Sequence, residues 1–223
     1  MTPITCSHYD LPFCRQHILP LLHDIAEAIT EHKDIEDVME QVIKTFVGHL
    51  EGTEKVLLTI FNRETGTIFV ENAWGITEEE KIRGVYRPGE GITGIVVQTG
   101  KPVTVPRIAE EPAFLNRTGT GSDEELADRA FICVPVRWGA EIMGTLSIIR
   151  PTDTDLRLLQ DQQLLTIVAA MIAQAVQLYR SRQEENQQLR AENIRLLDEL
   201  AEKFKPSKII GNSRAMQTTL KLM

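Results

Sequence analysis

The stretch GVYRPGEGITGIVVQTGKPVTVP, residues 84–106, decides the fold of this chain. It opens with an aromatic residue and a Pro-Gly-Glu-Gly turn, residues 86–91, and the apolar residues 92–98 then have the pattern of a short helix. Gly100 ends this helix, and residues 103–106 are typical of a short β-strand. A short helix between two glycines, lying over a sheet, is typical of the cover of a small-molecule pocket. The stretch contains no obvious catalytic residue.

The composition is that of an ordinary soluble protein, with 42% hydrophobic and 25% charged residues in a chain of 223. Its formal net charge of −8 argues against nucleic-acid binding, because a duplex attracts a basic surface. No apolar run approaches the roughly 20 residues of a membrane span, and residues 1–12 lack the pattern of a signal peptide. We therefore expect a cytoplasmic protein, and we expect no structural disulfide from its three cysteines.

Two amphipathic helices and a hairpin precede the opening stretch. An apolar stripe predicts a helix over residues 18–31, and Asp34 is expected to cap a second helix that reaches Leu50. Apolar and polar residues then alternate with a period of two, which predicts strands at residues 55–61 and 67–74 joined by a tight turn. Thr77 and Glu80 form a predicted capping box for a short helix that leads into the opening stretch.

A long loop and a second hairpin follow the opening stretch. Residues 107–128 are rich in Glu, Gly and Thr, and a loop of this length is a lid, a partner surface or a disordered segment. Residues 129–137 and 141–150 form the clearest predicted hairpin, with a turn at residues 138–140. Cys133 lies within its first strand, where a small core residue is the favoured interpretation.

A helix is predicted from Asp155 to about Lys203. Its first half is densely apolar and suits packing on the sheet and on a partner helix. Its second half is polar except for a thin heptad seam with one polar member, which predicts a parallel dimer whose signal leaves along the helix. A solvated, fraying helix is the alternative interpretation. The seam consists of Leu189, Asn193, Leu196 and Leu200.

The first 17 residues contain two cysteines and two histidines at close spacing, namely Cys6, His8, Cys14 and His17. Two thiolates and two imidazoles so close in sequence can share one zinc ion or one iron–sulfur cluster. The spacing is not that of a zinc finger. The alternative is an N-terminal segment whose side chains bind no metal.

The order of these elements resembles a GAF domain over about residues 20–180. The matching motifs are RPGEGITG at residues 87–94, VTVP at residues 103–106, and the hairpin from FICVPV at residues 131–136 to GTL at residues 144–146. The resemblance implies an α+β fold, in which a central antiparallel β-sheet is flanked by helices and a ligand cavity lies on the other face. It also implies a long C-terminal signalling helix or coiled coil.

A narrower resemblance points to nitrogen-fixation regulators. Residues 105–118, VPRIAEEPAFLNRT, look like a loop of Nif-specific regulatory proteins, the NifA-type activators. Residues 208–213, KIIGNS, are similar to the opening of the AAA+ domain of sigma-54-dependent activators. No G-x-x-x-x-G-K-[ST] motif follows, so these residues do not hydrolyse ATP by that route.

The resemblance implies four segments and a regulatory role. Residues 1–17 are a Cys/His-containing segment, residues 18–180 a GAF sensor, residues 181–205 a helical linker and residues 206–223 the start of an AAA+ domain. The sensor is expected to control a downstream ATPase in response to a small ligand, a redox signal or a partner such as nitrogenase iron protein. A homodimer through the C-terminal helix is also expected.

The N-terminal cysteines resemble those of activators of the vanadium-type nitrogenase. These carry a Cys-x-Cys-x4-Cys run, associated with an iron–sulfur cluster, just before a Leu-Pro-Leu-Leu helix start. Here the same helix start occupies residues 19–22, and His8 stands where the family has a cysteine. The resemblance therefore implies an iron–sulfur cluster on Cys6, His8 and Cys14.

Eight residues are candidates for lining the GAF cavity. For Val96 and Phe131, core packing is the favoured alternative, whereas Arg117 is the cation expected to bind an anionic ligand such as 2-oxoglutarate. The candidates are Trp74, Tyr86, Thr93, Val96, Phe114, Arg117, Phe131 and Cys133.

Two other functions are possible on the same fold. Some GAF relatives reduce methionine sulfoxide with cysteines near the pocket, but the apolar strand around Cys133 makes it a poor thiolate. Others bind cyclic nucleotides, and the nucleotide-contacting pattern of that group is not visible in this sequence. The regulatory sensor is therefore the favoured hypothesis.

Overall fold

The computed structural model describes residues 18–31 and 34–203. The predicted metal-binding residues Cys6, His8, Cys14 and His17, and the predicted AAA+ segment 206–223, lie outside these ranges. The chain divides into two compact units, Met1–Tyr179 and Arg180–Met223. The elements are α1 (Leu19–Glu31), α2 (Ile35–His49), β1 (Lys55–Asn62), β2 (Thr67–Trp74), α3 (Glu78–Arg83), β3 (Val85–Tyr86), α4 (Gly91–Thr99), β4 (Val103–Val105), α5 (Asp123–Leu126), β5 (Arg129–Trp138), β6 (Glu141–Pro151) and α6 (Asp155–Lys203), with a 3-10 turn at Ile108–Glu110.

The first unit is built on a six-stranded antiparallel sheet in the order β3-β2-β1-β6-β5-β4. Both predicted hairpins are confirmed, as β1–β2 and β5–β6. The turn of the second hairpin is shorter than predicted, because Trp138 already pairs with Glu141 and Gly139 takes the left-handed conformation at φ 58°. Strand β3 was not predicted, because two residues are too few to show an alternating pattern.

Helix starts follow the predicted capping residues. The side chain of Asp34 accepts a hydrogen bond from the backbone N–H of Glu36 at the start of α2. Thr77 and Glu80 exchange the two hydrogen bonds of a capping box at the start of α3. Each bond satisfies an amide at a helix start that has no partner within the helix, so the bonds fix where the helix begins.

Successive residues along each strand pack on opposite faces of the sheet. In β5, Ile132 and Val134 belong to the large core formed with α1, α2 and α6. Phe131 and Cys133, one position away, belong to a smaller cluster with α4 and the residues around β4. The sheet therefore has a helix-covered face and a second face, as the resemblance implied.

The part of α6 in the first unit is a core helix. Leu158, Leu165 and Ile172 are all buried in the large core. Among the described residues, α6 is the one helix long and apolar enough to cross a membrane, but the core helix of a soluble protein passes the same test. Burial of these leucine and isoleucine side chains accounts for the apolar composition without a bilayer.

The opening stretch folds over the second face of the sheet. Helix α4 spans Gly91–Thr99, one residue longer at each end than predicted, and Gly100 ends it in the left-handed conformation at φ 66°. The turn before it is pinned by a hydrogen bond from the Gly89 amide to the Gly94 carbonyl oxygen at 2.8 Å. A Cβ on Gly94 would lie 2.2 Å from the carbonyl oxygen of Arg87, so only glycine allows the helix to approach this turn.

Residues 107–128, which we call the lid, are more ordered than the sequence suggested. They contain the 3-10 turn at Ile108–Glu110 and the helix α5, which Ser122 and Glu125 cap with a second capping box. Ile108 and Leu126 are buried and pack together in one cluster on the second face. Disorder, one of the three interpretations for this loop, is therefore wrong, and the lid interpretation agrees with its position.

The described part of the second unit, residues 180–203, is helical. All side chains at residues 181–200 are exposed, including the four members of the predicted seam. Leu189, Leu196 and Leu200 each expose about half of their surface. The seam therefore lacks an apolar partner within the described chain, and the dimer stays a prediction.

Candidate functional site

A small closed cavity lies on the second face of the sheet, beneath α4 and the lid. Tyr86 of β3 lines one edge, and Ile92 and Thr93 contribute from α4. The other lining residues are Leu57, Thr59, Val70, Phe131, Ser147 and Ile149 from the sheet and Phe114, Leu115 and Thr118 from the lid. None of these lining side chains carries a charge.

Five hydroxyl groups surround this cavity, those of Thr59, Tyr86, Thr93, Thr118 and Ser147. Thr59 is satisfied by the Thr145 hydroxyl at 2.7 Å, and the Ser147 hydroxyl faces a carbonyl oxygen at 3.5 Å. Within residues 18–31 and 34–203, the Tyr86 and Thr93 hydroxyls have no hydrogen-bond partner in the protein, and neither oxygen is among the fully buried polar atoms that lack one. Water therefore reaches both hydroxyls, and a guest molecule that replaces this water can bond to them.

The cavity is closed to metabolites in this conformation, although it is not sealed from solvent. Its volume is about 30 Å³, enough for about one water molecule. Ligand pockets for metabolites measure roughly 300–1,000 Å³, so no metabolite fits until the lid or α4 moves. Burial here also raises the pKa of Tyr86 to about 12, which keeps its phenol protonated as a hydrogen-bond donor at neutral pH.

The three cavity-lining residues of the lid, Phe114, Leu115 and Thr118, each contact a neighbouring element. Arg83 of α3 donates two hydrogen bonds, of 3.1 and 2.8 Å, to the carbonyl oxygen of Thr118. The rings of Phe114 and Phe131 meet edge to face with centroids 5.1 Å apart. Leu115 lies against Gly91, where a Cβ would come within 3.1 Å of it. These contacts hold the cavity-lining part of the lid against both the sheet and α4.

A wider groove of about 590 Å³ lies on the other side of the same lid residues. Phe114 and Leu115 line both the groove and the closed cavity, so they form the partition between the two spaces. Arg117 is the one charged residue that lines the groove, beside the polar residue Asn116. The remaining lining residues are Ile108, Ala109 and Leu126.

Arg117 lies at the rim, between the groove and Tyr86. Its guanidinium forms an ion pair with Glu90 and donates a hydrogen bond of 3.3 Å to the carbonyl oxygen of Val85. Its Cζ atom also lies 5.9 Å from the centroid of the Tyr86 ring, a cation–π contact. The cation expected to bind an anion therefore already has a carboxylate partner within the chain.

The structure brings together five of the eight predicted site residues. Tyr86, Thr93, Phe114 and Phe131 line the closed cavity, and Arg117 lines the adjoining groove. For Phe131 the predicted alternatives coincide, because it belongs to a core cluster and lines the cavity at once.

Trp74, Val96 and Cys133 are not among the residues that line this cavity, and for Val96 and Cys133 the structure agrees with the favoured interpretation of core packing. Trp74 is 44% exposed at the end of β2, four residues beyond Val70, the β2 residue that lines the cavity. Val96 and Cys133 are fully buried in the cluster between α4 and the sheet. Burial raises the pKa of the Cys133 thiol to about 12, which leaves very little thiolate at neutral pH.

Four lining residues that matter here were not predicted, Thr59, Leu115, Thr118 and Ser147. Thr59 and Ser147 are small polar residues inside apolar strands, an anomaly that the sequence does show. Their common position depends on the pairing of β1 with β6, in which Thr59 faces Thr145 and Leu57 faces Ser147. That register joins residues about 90 apart in sequence, which local patterns do not reveal.

Comparison with known proteins agrees with this architecture. Residues 34–176 match the family model of the GAF domain. The chain belongs to the GAF domain family. Its GAF domain shares its fold with the crystal structure of the A. aeolicus nlh2 GAF domain in an inactive state, at a TM-score of 0.66 and 24% identity, over 74% of this chain and 98% of that one.

The GAF domain and its flanking residues also resemble regulators of nitrogen fixation. The chain is 41% identical to nitrogen fixation protein VnfA of Azotobacter vinelandii over 94% of its length, and 41% identical to AnfA of the same organism over 97%. A Nif-specific regulatory protein of Herbaspirillum seropedicae is 36% identical over 89% of the chain. The chain spans about 40% of the length of VnfA and AnfA, and 36% of the third relative.

Proposed function

We propose that this chain is the regulatory sensor of a cytoplasmic, sigma-54-dependent activator of nitrogen-fixation genes, and that it controls a downstream AAA+ ATPase. The observation that carries the proposal is the 41% identity to VnfA and AnfA over nearly the whole chain. A GAF domain with a cavity between the sheet, α4 and the lid supports a sensing role rather than a purely structural one.

The sensing step is binding of a small anion such as 2-oxoglutarate in the GAF cavity. The closed cavity offers the unpartnered hydroxyls of Tyr86 and Thr93, and Arg117 at its rim supplies a positive charge. Since the closed form holds no metabolite, ligand binding favours a conformation in which the partition by Phe114 and Leu115 has moved. The ligand thereby selects one of two states of the lid.

The output step uses α6. Within the first unit, α6 packs on the opposite face of the sheet through Leu158 and Leu165, and a buried ion pair joins Arg150 of β6 to Asp161 of α6. The same helix carries the exposed seam at residues 189–200. A change in the sheet is thus coupled to the element that we propose to dimerise, and a shift between two dimer states would reach the ATPase.

Titration of 2-oxoglutarate into the purified chain, followed by calorimetry and thermal unfolding, tests the sensing step. We expect saturable binding and a rise in the unfolding temperature, because a ligand bound by the folded state alone stabilises it. Tyr86→Phe and Thr93→Val remove one hydroxyl each and are expected to weaken binding about 3- to 30-fold. Thr65→Val, on the exposed β1–β2 turn, is the control. Binding that all variants share equally would contradict a site in the cavity.

A redox input through the N-terminal segment is a separate part of the proposal. Cys6, His8, Cys14 and His17 lie outside the described residues, and their donor types suit an iron–sulfur cluster. Purification without oxygen, followed by iron and sulfide analysis, should find stoichiometric metal that Cys6→Ser and Cys14→Ser remove. A colourless, metal-free protein with both cysteines freely alkylated would contradict this part.

Partner proteins are the other source of a signal. We propose a homodimer through the C-terminal helix, and nitrogenase iron protein as a candidate input.

The methionine-sulfoxide-reductase alternative is not favoured, because the buried, protonated thiol of Cys133 is a poor nucleophile. The cyclic-nucleotide alternative is not favoured either, because the sequence does not show the nucleotide-contacting pattern of that group. Calorimetry with cyclic nucleotides should show no heat of binding.

A further inference from the structure

The ion pair between Arg117 and Glu90 joins the lid to the turn in front of α4. Arg117 belongs to the lid, and Glu90 is the acidic residue of the Pro-Gly-Glu-Gly turn. The second carboxylate oxygen of Glu90 accepts a hydrogen bond of 3.0 Å from the Arg87 amide. One carboxylate thus connects the two structures that cover the cavity, namely the lid and the start of α4.

This contact is the charged attachment at the rim of a cavity that has no charged lining. The closed cavity is lined by apolar and hydroxyl-bearing side chains, and the groove outside it has Arg117 as its one charged lining residue. Leu115, two residues before Arg117, lies on Gly91 next to Glu90 and belongs to the partition. Release of Arg117 from Glu90 would therefore loosen the lid at the partition itself.

We propose that Glu90 occupies Arg117 in place of a ligand carboxylate, so that an incoming small carboxylate opens the site by exchanging with Glu90. The inference rests on the proposed function of the cavity and specifies how the cavity is regulated. The ligand class is a small dicarboxylate such as 2-oxoglutarate, with one carboxylate for Arg117 and its remaining oxygen atoms as acceptors for the hydroxyls of Tyr86 and Thr93. The exchange conserves charge pairing on Arg117, because one carboxylate replaces another on a guanidinium that is 42% exposed.

The position of Glu90 keeps the free-energy cost of its release from Arg117 small. It is the N-cap residue of α4, yet its side chain makes no capping hydrogen bond to the helix. When Arg117 leaves, the carboxylate stays at the positive end of the α4 dipole and keeps its bond to the Arg87 amide. The Glu90 side chain is also about one-third exposed, so water can solvate the carboxylate oxygen that Arg117 leaves. Because an ion pair with this exposure adds little to stability, an incoming carboxylate can displace Glu90 from Arg117.

The exchange is tested by measuring 2-oxoglutarate binding and lid mobility in three variants. Glu90→Gln removes the internal competitor, and the ordinary strength of a partly exposed ion pair predicts about two- to fivefold tighter binding. Arg117→Gln removes the cation and should abolish measurable binding. Glu110→Gln is the matched control, because it breaks the exposed lid pair with Arg107 and should change nothing. Hydrogen exchange of residues 107–128 without ligand should be faster in Glu90→Gln and Arg117→Gln than in the wild type.

The outcomes separate the exchange from the cavity function. Tighter binding by Glu90→Gln together with faster lid exchange supports the proposal. Saturable binding by the wild type that Glu90→Gln leaves unchanged or weakens overturns the exchange and leaves the sensor function standing. Unchanged lid exchange in both Glu90→Gln and Arg117→Gln also overturns it, because the pair then does not hold the lid. Absence of binding in every variant, also with succinate as a second probe, overturns both proposals.

Discussion

Single residues in the Pro-Gly-Glu-Gly region show how closely α4 approaches the chain before it. The missing side chain of Gly94 makes room for the carbonyl oxygen of Arg87, and the Gly94 carbonyl accepts the Gly89 amide. The glycine is required by a backbone contact rather than by an unusual φ angle, since Gly94 is not among the glycines with positive φ. Gly94 is therefore needed because α4 packs so closely against the turn at Arg87 that a side chain does not fit.

Gly94→Ala should destabilise the folded chain by about 3 kcal/mol, because its Cβ would overlap a backbone oxygen that cannot rotate away. Urea unfolding followed by circular dichroism measures the change. Gly48→Ala in α2 is the control, since its Cβ would meet nothing within 4 Å, and it should raise stability by up to about 1 kcal/mol. Equal effects of the two substitutions would show that the close approach is absent.

Cys133 provides a chemical readout of the same covered face. Its thiol is fully buried, and burial raises its pKa to about 12. In a Cys6→Ser/Cys14→Ser background, iodoacetamide at pH 8 should leave Cys133 unmodified in the native protein and modify it in urea, as mass spectrometry would show. Since the folded pKa exceeds the ordinary thiol value of 9, the contribution of Cys133 to stability should decline as pH rises from about 9 towards 12. Rapid modification of the native protein would contradict this burial.

At the scale of elements, the buried ion pair between Arg150 and Asp161 joins the sheet to α6. Both side chains are less than a tenth exposed, and Asp153 and Arg157 lie within 3.8 Å of their partners in the same cluster. Burial raises the pKa of Asp161, and the neighbouring guanidinium of Arg150 opposes the rise. A charge pair in this position ties the direction of α6 to β6.

Asp161→Ala should cost about 3 kcal/mol, because it removes the close carboxylate partner of the buried Arg150 guanidinium, and Asp153 at 3.8 Å compensates only in part. The double variant Arg150→Met/Asp161→Leu removes both charges and should recover most of that loss. Urea unfolding of Arg150→Met, Asp161→Leu and the double variant forms the double-mutant cycle, and Asp161→Ala is measured beside it. If the double variant were as unstable as Asp161→Ala, the cost would come from lost packing instead of an unpaired charge.

Sequence patterns predicted the elements well where the signal is local. Alternation identified both hairpins, and glycines with capping residues located α4 and the starts of α2 and α3. The regular structure within the lid was not predicted, because Ile108 and Leu126 pack together across a polar segment that has no hydrophobic periodicity. The cavity floor was missed because Thr59 and Ser147 meet only through the register of β1 with β6. Both failures concern contacts between residues distant in sequence.

At the scale of the whole molecule, the exposed seam of the second unit is the basis of the proposed dimer. Leu196 is about half exposed on a helix whose side chains at residues 181–200 are all exposed. Leucines at heptad spacing are stabilised when a second helix covers them, and Asn193 at a core position favours one register at some cost in stability. This pattern supports the proposed parallel dimer.

Leu196→Glu should weaken dimerisation at least about tenfold, since it places a charge in the seam of both chains. Light scattering coupled to size-exclusion chromatography measures the change across a dilution series. Ile194→Glu is the control, because Ile194 is at least as exposed but lies off the heptad seam. Dissociation by both substitutions, or by neither, would contradict a dimer through this seam.

The shared partition of Phe114 and Leu115 has a consequence for timing. A chamber with room for about one water molecule cannot be entered by simple diffusion, so each binding event has to wait for the partition to open. Under the proposed function, association is then slow and residence is long compared with an open pocket. Such a sensor averages the concentration of its effector over many opening events, and brief fluctuations in metabolism pass without a transcriptional response.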